Sequence, residues 1–280
     1  MADSVERLTA ALAAEVAQRQ AVERELRQTA AELARSQREL EQFASIASHE
    51  LRAPLQKVRA FADLLEQEHR TQLDDEGRDF LRRMTRAVTR MEGLVGDLVT
   101  LARARAAEPR FARIDLAAVA RAVVADLDAL LNDVGGRVDI GASLPAIEAD
   151  QAQMHQLLHQ LVANAVKFRR DGRALVVRID GRVGVGVVAD ATAVGDICEI
   201  EVADNGIGFD SRYNETIFRP FERLHGPQQY EGSGIGLAVC ATIAERHGGR
   251  ITAVGTPGEG ATFKVTLPVR HVKVNAAGAR

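Results

Sequence analysis

Apolar residues recur at seven-residue spacing from the start of the chain. With Val5 at position a, Leu12, Leu26, Leu33, Leu40 and Ala47 share one column and Leu8, Val22 and Phe43 fall at d, with no Pro or Gly between residues 5 and 47. This seam predicts a long helix that pairs as a parallel coiled coil. Glu15, Arg19, Thr29 and Ser36 interrupt it, so the pairing is weak and needs support from downstream; a single solvated amphipathic helix is the alternative. Helical spacing continues through residues 43–58 in Phe43, Ile46, Ala47, Leu51, Leu55 and Val58, and the helix is expected to end near Glu68. Pro54 removes one backbone donor there and predicts a bend. Residues 71–77 read as a polar turn, after which Phe80, Met84, Ala87, Met91, Leu94, Leu98 and Leu101 mark a second, antiparallel helix. Two such helices cannot enclose so much apolar surface, which predicts dimerisation into a four-helix bundle.

The periodicity breaks at residues 106–110, with Pro109, and changes type beyond it. Extended structure is expected at 111–114, 137–140, 146–149, 175–188, 197–204, 250–254 and 262–268, and helices at 116–132, 150–168 and 235–247. Strands interleaved with helices predict an α/β sandwich, one mixed sheet with helices on a single face. The expected organisation is a signalling helix at 1–42, a helical hairpin at 43–106, a linker at 107–110, an α/β domain at 111–269 and a frayed tail at 270–280. Residues 181–195, rich in Val, Ala and Gly, exceed what a hairpin needs and receive no role.

Composition narrows the partners. A formal net charge of −3 argues against nucleic acid as a main partner. Cys198 and Cys240 each sit in an apolar run, which predicts buried free thiols and a reducing compartment. The chain carries no run of eighteen apolar residues and no signal-peptide pattern, so the expected location is cytoplasmic, the protein being soluble, recruited by another protein, or part of a longer sensor.

Five short stretches carry chemistry. In SHELRAPL, His49 sits on the first helix beside a helix-bending proline. A neutral imidazole attacks phosphorus through one nitrogen if a neighbour holds the other proton, and Glu50 is the nearest base. In LLHQLVANAVKF, Asn164, Lys167 and Phe168 lie within one and a half helical turns; a carboxamide oxygen suits Mg²⁺, an ammonium suits phosphate oxygens and a ring suits stacking on a purine. DNGIGF follows a strand, with Asp204 at its end and Gly206 and Gly208 free to approach a ligand. IFRPFERL offers Phe218 and Phe221, expected to pack the base of a mobile loop, and Arg223 as a cation near phosphate. In EGSGIGLA, Gly232, Gly234 and Gly236 lead into a helix through Leu237, so free N–H groups and the positive helix end can cradle phosphates. No GK[ST] follows, so this is not a Walker loop.

SHELRAPL closely resembles the phosphoacceptor box of the bacterial sensor histidine kinases of two-component systems, and the other four stretches follow in that family's order, over residues 43–267. The last resembles the G2 box of the ATP-binding fold shared by gyrase, ninety-kilodalton heat-shock chaperones, mismatch-repair ATPases and histidine kinases. The wording ERLHGPQQYEGSGIGLAVCATIAERHGG is most similar to phytochrome-associated kinases. The resemblance implies a homodimeric, ATP-dependent protein-histidine kinase with His49 as phosphoacceptor and Glu50 as its base. It further implies Asn164 as the Mg²⁺ ligand, Lys167 at phosphate and Asp204 selecting adenine, with Phe168, Gly206, Gly208, Phe221, Arg223, Gly232, Gly234, Gly236 and Leu237 around ATP. Residues 224–231 would be the lid, and a separate response regulator the recipient. A hydrolytic ATPase of the same fold and an ATP-binding scaffold without kinase activity are the alternatives.

Two positions depart from the pattern. Gln160 stands where the hydrolytic cousins carry a water-activating Glu and histidine kinases generally Asn; an amide is no general base, so slow hydrolysis is expected. Ala53 stands where members that dephosphorylate their partner carry Thr or Asn, which predicts a weak phosphatase. His155 and His159 are four apart on a helix, but no acidic third ligand falls on their face and no metal site is expected there.

Overall fold

The computed structural model describes residues 2–69, 71–106, 109–188, 193–224, 230 and 232–271. Side chains at 2–11, 13–14, 33–34, 37–38, 40–45, 49, 103, 105–106, 188 and 193–194 lie outside that description. Helix α1 (Ala2–Glu68) is continuous and carries Pro54 in its interior without ending there. Helix α2 (Asp75–Ala106) returns antiparallel to it. It begins inside the expected polar turn because Asp74 caps it, its carboxylate accepting the N–H of Gly77 at 2.7 Å. Across the hairpin, Ser48 Oγ donates to the Val95 carbonyl at 3.4 Å and Arg59 pairs with Glu92 at 3.1 Å. Among the described residues, no helix is long and apolar enough to cross a membrane.

Beyond the linker come β1 (Ala112–Asp115), α3 (Leu116–Asp126), α4 (Asp128–Asp133), β2 (Arg137–Ile140), β3 (Ala146–Ala149), α5 (Gln151–Lys167), β4 (Val176–Val188), β5 (Ala193–Asp204), α6 (Gly236–Arg246), β6 (Arg250–Thr256) and β7 (Gly260–Pro268). The helix expected over 116–132 is interrupted at Leu127, whose φ of −99° and ψ of 5° leave the helical region. The expected single sheet is two. Five strands form the order β2-β4-β5-β7-β6, with β2 parallel to β4 and the other pairs antiparallel, while β1 and β3 make a separate antiparallel pair. Residues 181–195 prove to belong to the β4–β5 hairpin, with 189–192 outside the described residues. Val183, Val185 and Val187, alternating with glycines, take the extended conformation that β-branched residues favour.

Register explains the single helical face. Val177, Ile179, Ile200, Val202, Phe263, Val265, Leu267 and Ala253 share one side of the sheet and are buried, whereas Arg178, Arg182, Glu199, Glu201 and Lys264 occupy the other. Leu157, Leu158, Leu161, Ala238, Val239 and Ile243, from α5 and α6, fill the space above the buried side. Each fully buried Leu or Ile contributes about 1.5–3 kcal/mol. Both thiols are buried in this layer, and desolvation pushes Cys198 and Cys240 up to about 12, as their apolar contexts predict. Of the expected frayed tail, residues 272–280 lie outside the described residues, but His271 is held, its ring stacked on Phe111 at 3.6 Å and its N–H donating to Glu148.

Asp150 fixes the start of α5. One carboxylate oxygen accepts the N–H of Gln153 at 3.0 Å, and the other accepts the N–H of Arg110 at 2.7 Å. Its own N–H donates to His247 Nε2 at 3.1 Å, while His247 Nδ1 lies 2.8 Å from the Ile243 carbonyl. A neutral ring protonated on Nδ1 satisfies both contacts. Burial holds His247 below its ordinary value, although the Ile243 carbonyl and Asp150 favour the cation. A depressed folded value means that the unfolded chain takes up the proton first. The stabilisation from this ring is therefore complete above about pH 6.5 and is lost as pH falls through the folded value. Urea midpoints measured between about pH 7.5 and 5.5 should fall more steeply for the wild type than for His247→Gln, which keeps an acceptor but does not titrate; parallel slopes would contradict this.

Candidate functional site

The C-terminal turns of α5, the turn after β5, the segment 222–224 and the glycine turn before α6 converge on one cleft of roughly 320 Å³. Asn164, Lys167, Phe168, Asp204, Gly208, Arg223, Gly232, Gly234, Gly236 and Leu237 all line it. Gly206 and Phe221 do not. Gly206 is buried behind the wall, its N–H donating to Asp204 Oδ1 at 2.8 Å, and so supports the aspartate. Phe221 is 57% exposed with a φ of 66°, so its ring does not pack the loop base as expected; its N–H donates to the Gly234 carbonyl at 3.0 Å. Phe218 does pack against the core.

Local forces hold each wall. Phe168 caps α5 through its N–H to the Asn164 carbonyl, and its own carbonyl accepts the N–H of Ile207 at 2.9 Å, tying α5 to the turn after β5. Gly208, at φ 62°, lies where a Cβ would collide with the carbonyls of Thr256 and Gly260. Asn205 fastens the end of β5 to the entry of β4, accepting from Val176 N and donating to Ala174 O, both at 2.9 Å. Gly234, at φ 79°, allows the turn to pass 2.6 Å from the Glu222 carbonyl when measured from an added Cβ.

The cleft mixes charges. Burial pushes the Asp204 carboxyl above its usual range, opposed by the N–H groups of Gly206 and Ala261, and both of those bonds fall on Oδ1. The Lys167 ammonium stands 4.5 Å from the Phe168 ring centre, and that ring lies 5.0 Å from Tyr230. Arg223, expected beside phosphate, donates to the Tyr230 carbonyl at 2.6 Å and ties that residue into the cleft wall. Ser233 in the glycine turn accepts the N–H of Ile235 at 3.1 Å and donates to Asp97 of α2. Gln160 lines the cleft, its Oε1 at 2.7 Å from the position of a Cβ on Gly236.

Tyr230, Ser233, Asn205 and Asp97 escaped the sequence reading. The first three lie inside or beside the boxes, but Asp97 has no local signal, being one more acidic residue on a charged helix. The rest of the expected lid, 225–229 and Glu231, lies outside the described residues, as does the ring of His49. The His49 backbone is helical, and Glu50 and Ala53 beside it are exposed. Tertiary structure does bring an acidic group to the histidine pair, His155 Nε2 lying 3.0 Å from Asp126. Still, among the described residues no group of three His, Cys, Asp or Glu side chains can hold a metal ion.

Residues 39–107 match the His Kinase A (phospho-acceptor) domain, and residues 149–271 match the histidine kinase-, DNA gyrase B- and HSP90-like ATPase family. The chain is similar to the phytochrome-like protein Cph1 of Synechocystis sp., with 36% identity over 88% of this chain and 31% of that protein. It is also similar to the adaptive-response sensory kinase SasA of Parasynechococcus marenigrum, with 35% identity over 82% of this chain and 57% of that one. It thus spans about a third of the phytochrome-like relative's length. A crystal structure of full-length ShkA in complex with AMPPNP superposes with a TM-score of 0.57 at 26% identity, covering 82% of this chain and 46% of that one. Phosphoacceptor and ATPase domains in this order, with these relatives and the cleft built from their boxes, place the chain in the sensor histidine kinases of two-component signalling.

Proposed function

We propose that this chain is an ATP-dependent protein-histidine kinase that phosphorylates itself on His49 and passes the group to an aspartate of a separate response regulator. The observation carrying this reading is the cleft itself, in which the Asn164 amide, the Lys167 ammonium, the half-buried Asp204 carboxylate and a glycine turn, from distant segments, face a common space large enough for a ligand. In this reading residues 1–42 are a signalling helix, 43–106 the dimerisation and phosphotransfer hairpin, 107–110 a linker and 111–269 the ATP-binding domain. Leu51 and Phe61 of α1 and Met84 and Met91 of α2 are exposed in a single chain, which supports a second copy closing a four-helix bundle, and the exposed Leu12 and Leu26 support its continuing as a coiled coil along the signalling helix. An upstream sensor domain or protein would feed α1.

Asp204, its Oδ1 already engaged, accepts the exocyclic amine of adenine through its carboxylate, and burial strengthens that bond. Phe168 and Leu237 flank the base, while Lys167, Arg223 and the N–H groups around Gly234 and Gly236 neutralise the phosphates. The donor set fits Mg²⁺ through Asn164, and the ion when bound supplies further charge neutralisation at phosphate. One nitrogen of the His49 ring attacks the γ-phosphorus in line. The N–P bond forms as the bond to the β-phosphate bridging oxygen breaks, ADP leaves with that electron pair, and Glu50 takes the other ring proton. Gln160 lines the same wall and cannot activate water, so the phosphoryl group goes to the better-placed imidazole.

Incubation with γ-labelled ATP should label the protein with an acid-labile, base-stable phosphate. His49→Ala should abolish the label while nucleotide affinity stays within about twofold; acid-labile labelling of that variant would refute the assignment, and phosphate release without labelling would favour the hydrolytic reading. Because Ala53 offers no group to orient water, the protein should leave a phosphorylated receiver domain intact over its own spontaneous decay. Ala53→Thr should speed that decay by about tenfold or more, and rapid decay with the wild type would contradict the reading.

A further inference from the structure

The glycine turn that would cradle the triphosphate is already in contact with an anion, and that anion belongs to the chain. Asp97 reaches from α2 into the cleft, lines it beside Asn164, Lys167 and Gly232, and accepts the hydroxyl hydrogen of Ser233. Ser233 is 8% exposed, and its oxygen also accepts the N–H of Ile235, so the one donor hydrogen of that hydroxyl and one of its two acceptor lone pairs are in use. The turn leads directly into α6, which has no side-chain cap on its first N–H groups apart from this serine. An acidic oxygen at that place receives the same favourable field that a phosphate oxygen would. Lys167 and Arg223 line the same cleft and add to it. Asp97 also lies at a telling height. Ser48 Oγ bonds the Val95 carbonyl, and a rise of about 1.5 Å per residue along each helix puts Asp97 within about one turn of the level of His49.

We propose that Asp97 is a positioning residue of the phosphotransfer. Its carboxylate stands in for a phosphate oxygen in the glycine turn and holds the ATP-binding domain against α2 until a triphosphate displaces it. Like charges cannot share this cleft cheaply: an incoming polyphosphate is repelled by Asp97 and competes with it for the Ser233 hydroxyl. Nucleotide entry and loosening of the domain on α2 are then coupled, since the Asp97–Ser233 contact is broken in both while Leu101 and Ala104 of α2 stay packed in the core. No group is transferred in this step. Asp97 acts through Ser233 and the turn, and sets how much ATP is needed to loosen the domain.

This inference rests on the cleft being a nucleotide site, and binding to the full chain separates the two. A fluorescent ATP analogue, titrated with Mg²⁺ into wild type, Asp97→Asn, Asp97→Ala and Asp97→Glu, gives the four affinities. The Asn and Ala variants should bind about fivefold tighter than wild type, the lower end of ordinary coupling between linked sites, and the Glu variant should return to within about twofold of wild type. A merely structural contact would move affinity the other way, because a loosened turn binds phosphate less well. Should Ala disturb the packing of α2, the isosteric Asn carries the test alone. Unchanged or weaker binding by Asp97→Asn beside a wild type that binds overturns this inference and leaves the kinase reading standing. Absence of binding in wild type and variants alike overturns both.

Discussion

The placement of α5 governs everything that follows it. At its start, Asp150 gives one carboxylate oxygen to the helix, the other to the chain leaving the linker, and its N–H to a buried histidine at the end of α6. Such a cap contributes about 1 kcal/mol by itself, but its larger effect is geometric. It locks the helices on the sheet's covered face into one register, so that Asn164 and Lys167, about four and five turns later, arrive opposite the glycine turn. At the other end, the bond from Ile207 to the Phe168 carbonyl closes the frame. With both ends fixed, the cleft between them has defined walls before any ligand enters.

Inside that frame the chemistry is an exercise in balancing charge. Lys167 and Arg223 bring positive charge, Asp204, Asp97 and Glu222 negative charge, and the two aspartates sit in different environments. Asp204 is desolvated and held by two backbone N–H groups, so it acts as a fixed acceptor. Asp97 comes from α2, outside the α/β domain, and meets the cleft through the Ser233 hydroxyl. The polar contact that it makes links the helical hairpin to the α/β domain at the cleft.

Glycines serve the same frame in two ways. At Gly208 the backbone must pass between two carbonyls in a left-handed conformation, and at Gly234 it must turn close against Glu222. Phe221 takes a positive φ without that freedom, next to the same turn, and is held there by its bond to the Gly234 carbonyl. Positive φ and close backbone approach thus recur along the walls of the cleft.

Periodicity alone made much of this legible. The heptads and the four-and-three spacing of α2 gave two long antiparallel helices, because an apolar stripe on a helix shows itself within a dozen residues. The boxes at Asn164, Asp204 and Gly232 to Gly236 were readable because the chemistry of close phosphate approach demands particular residues at short range. Val183, Val185 and Val187 fall within the strand expected over 175–188, but most of their partners lie before the expected start of the next strand at 197, because Ala193, Val194, Gly195 and Asp196 carry no alternating signal. Gly206 and Phe221 carried the right residue types but do not line the cleft, Gly206 being buried behind Asp204 and Phe221 being exposed at a positive φ. Asp97 and Asp126 had no local signature at all. The sequence determined which segments are helices, which are strands and which residue types surround the cleft, because those follow from local spacing and side-chain chemistry. Only the tertiary structure decided that a carboxylate from α2 meets a serine 136 residues away, because that contact depends on how α2 packs against the α/β domain.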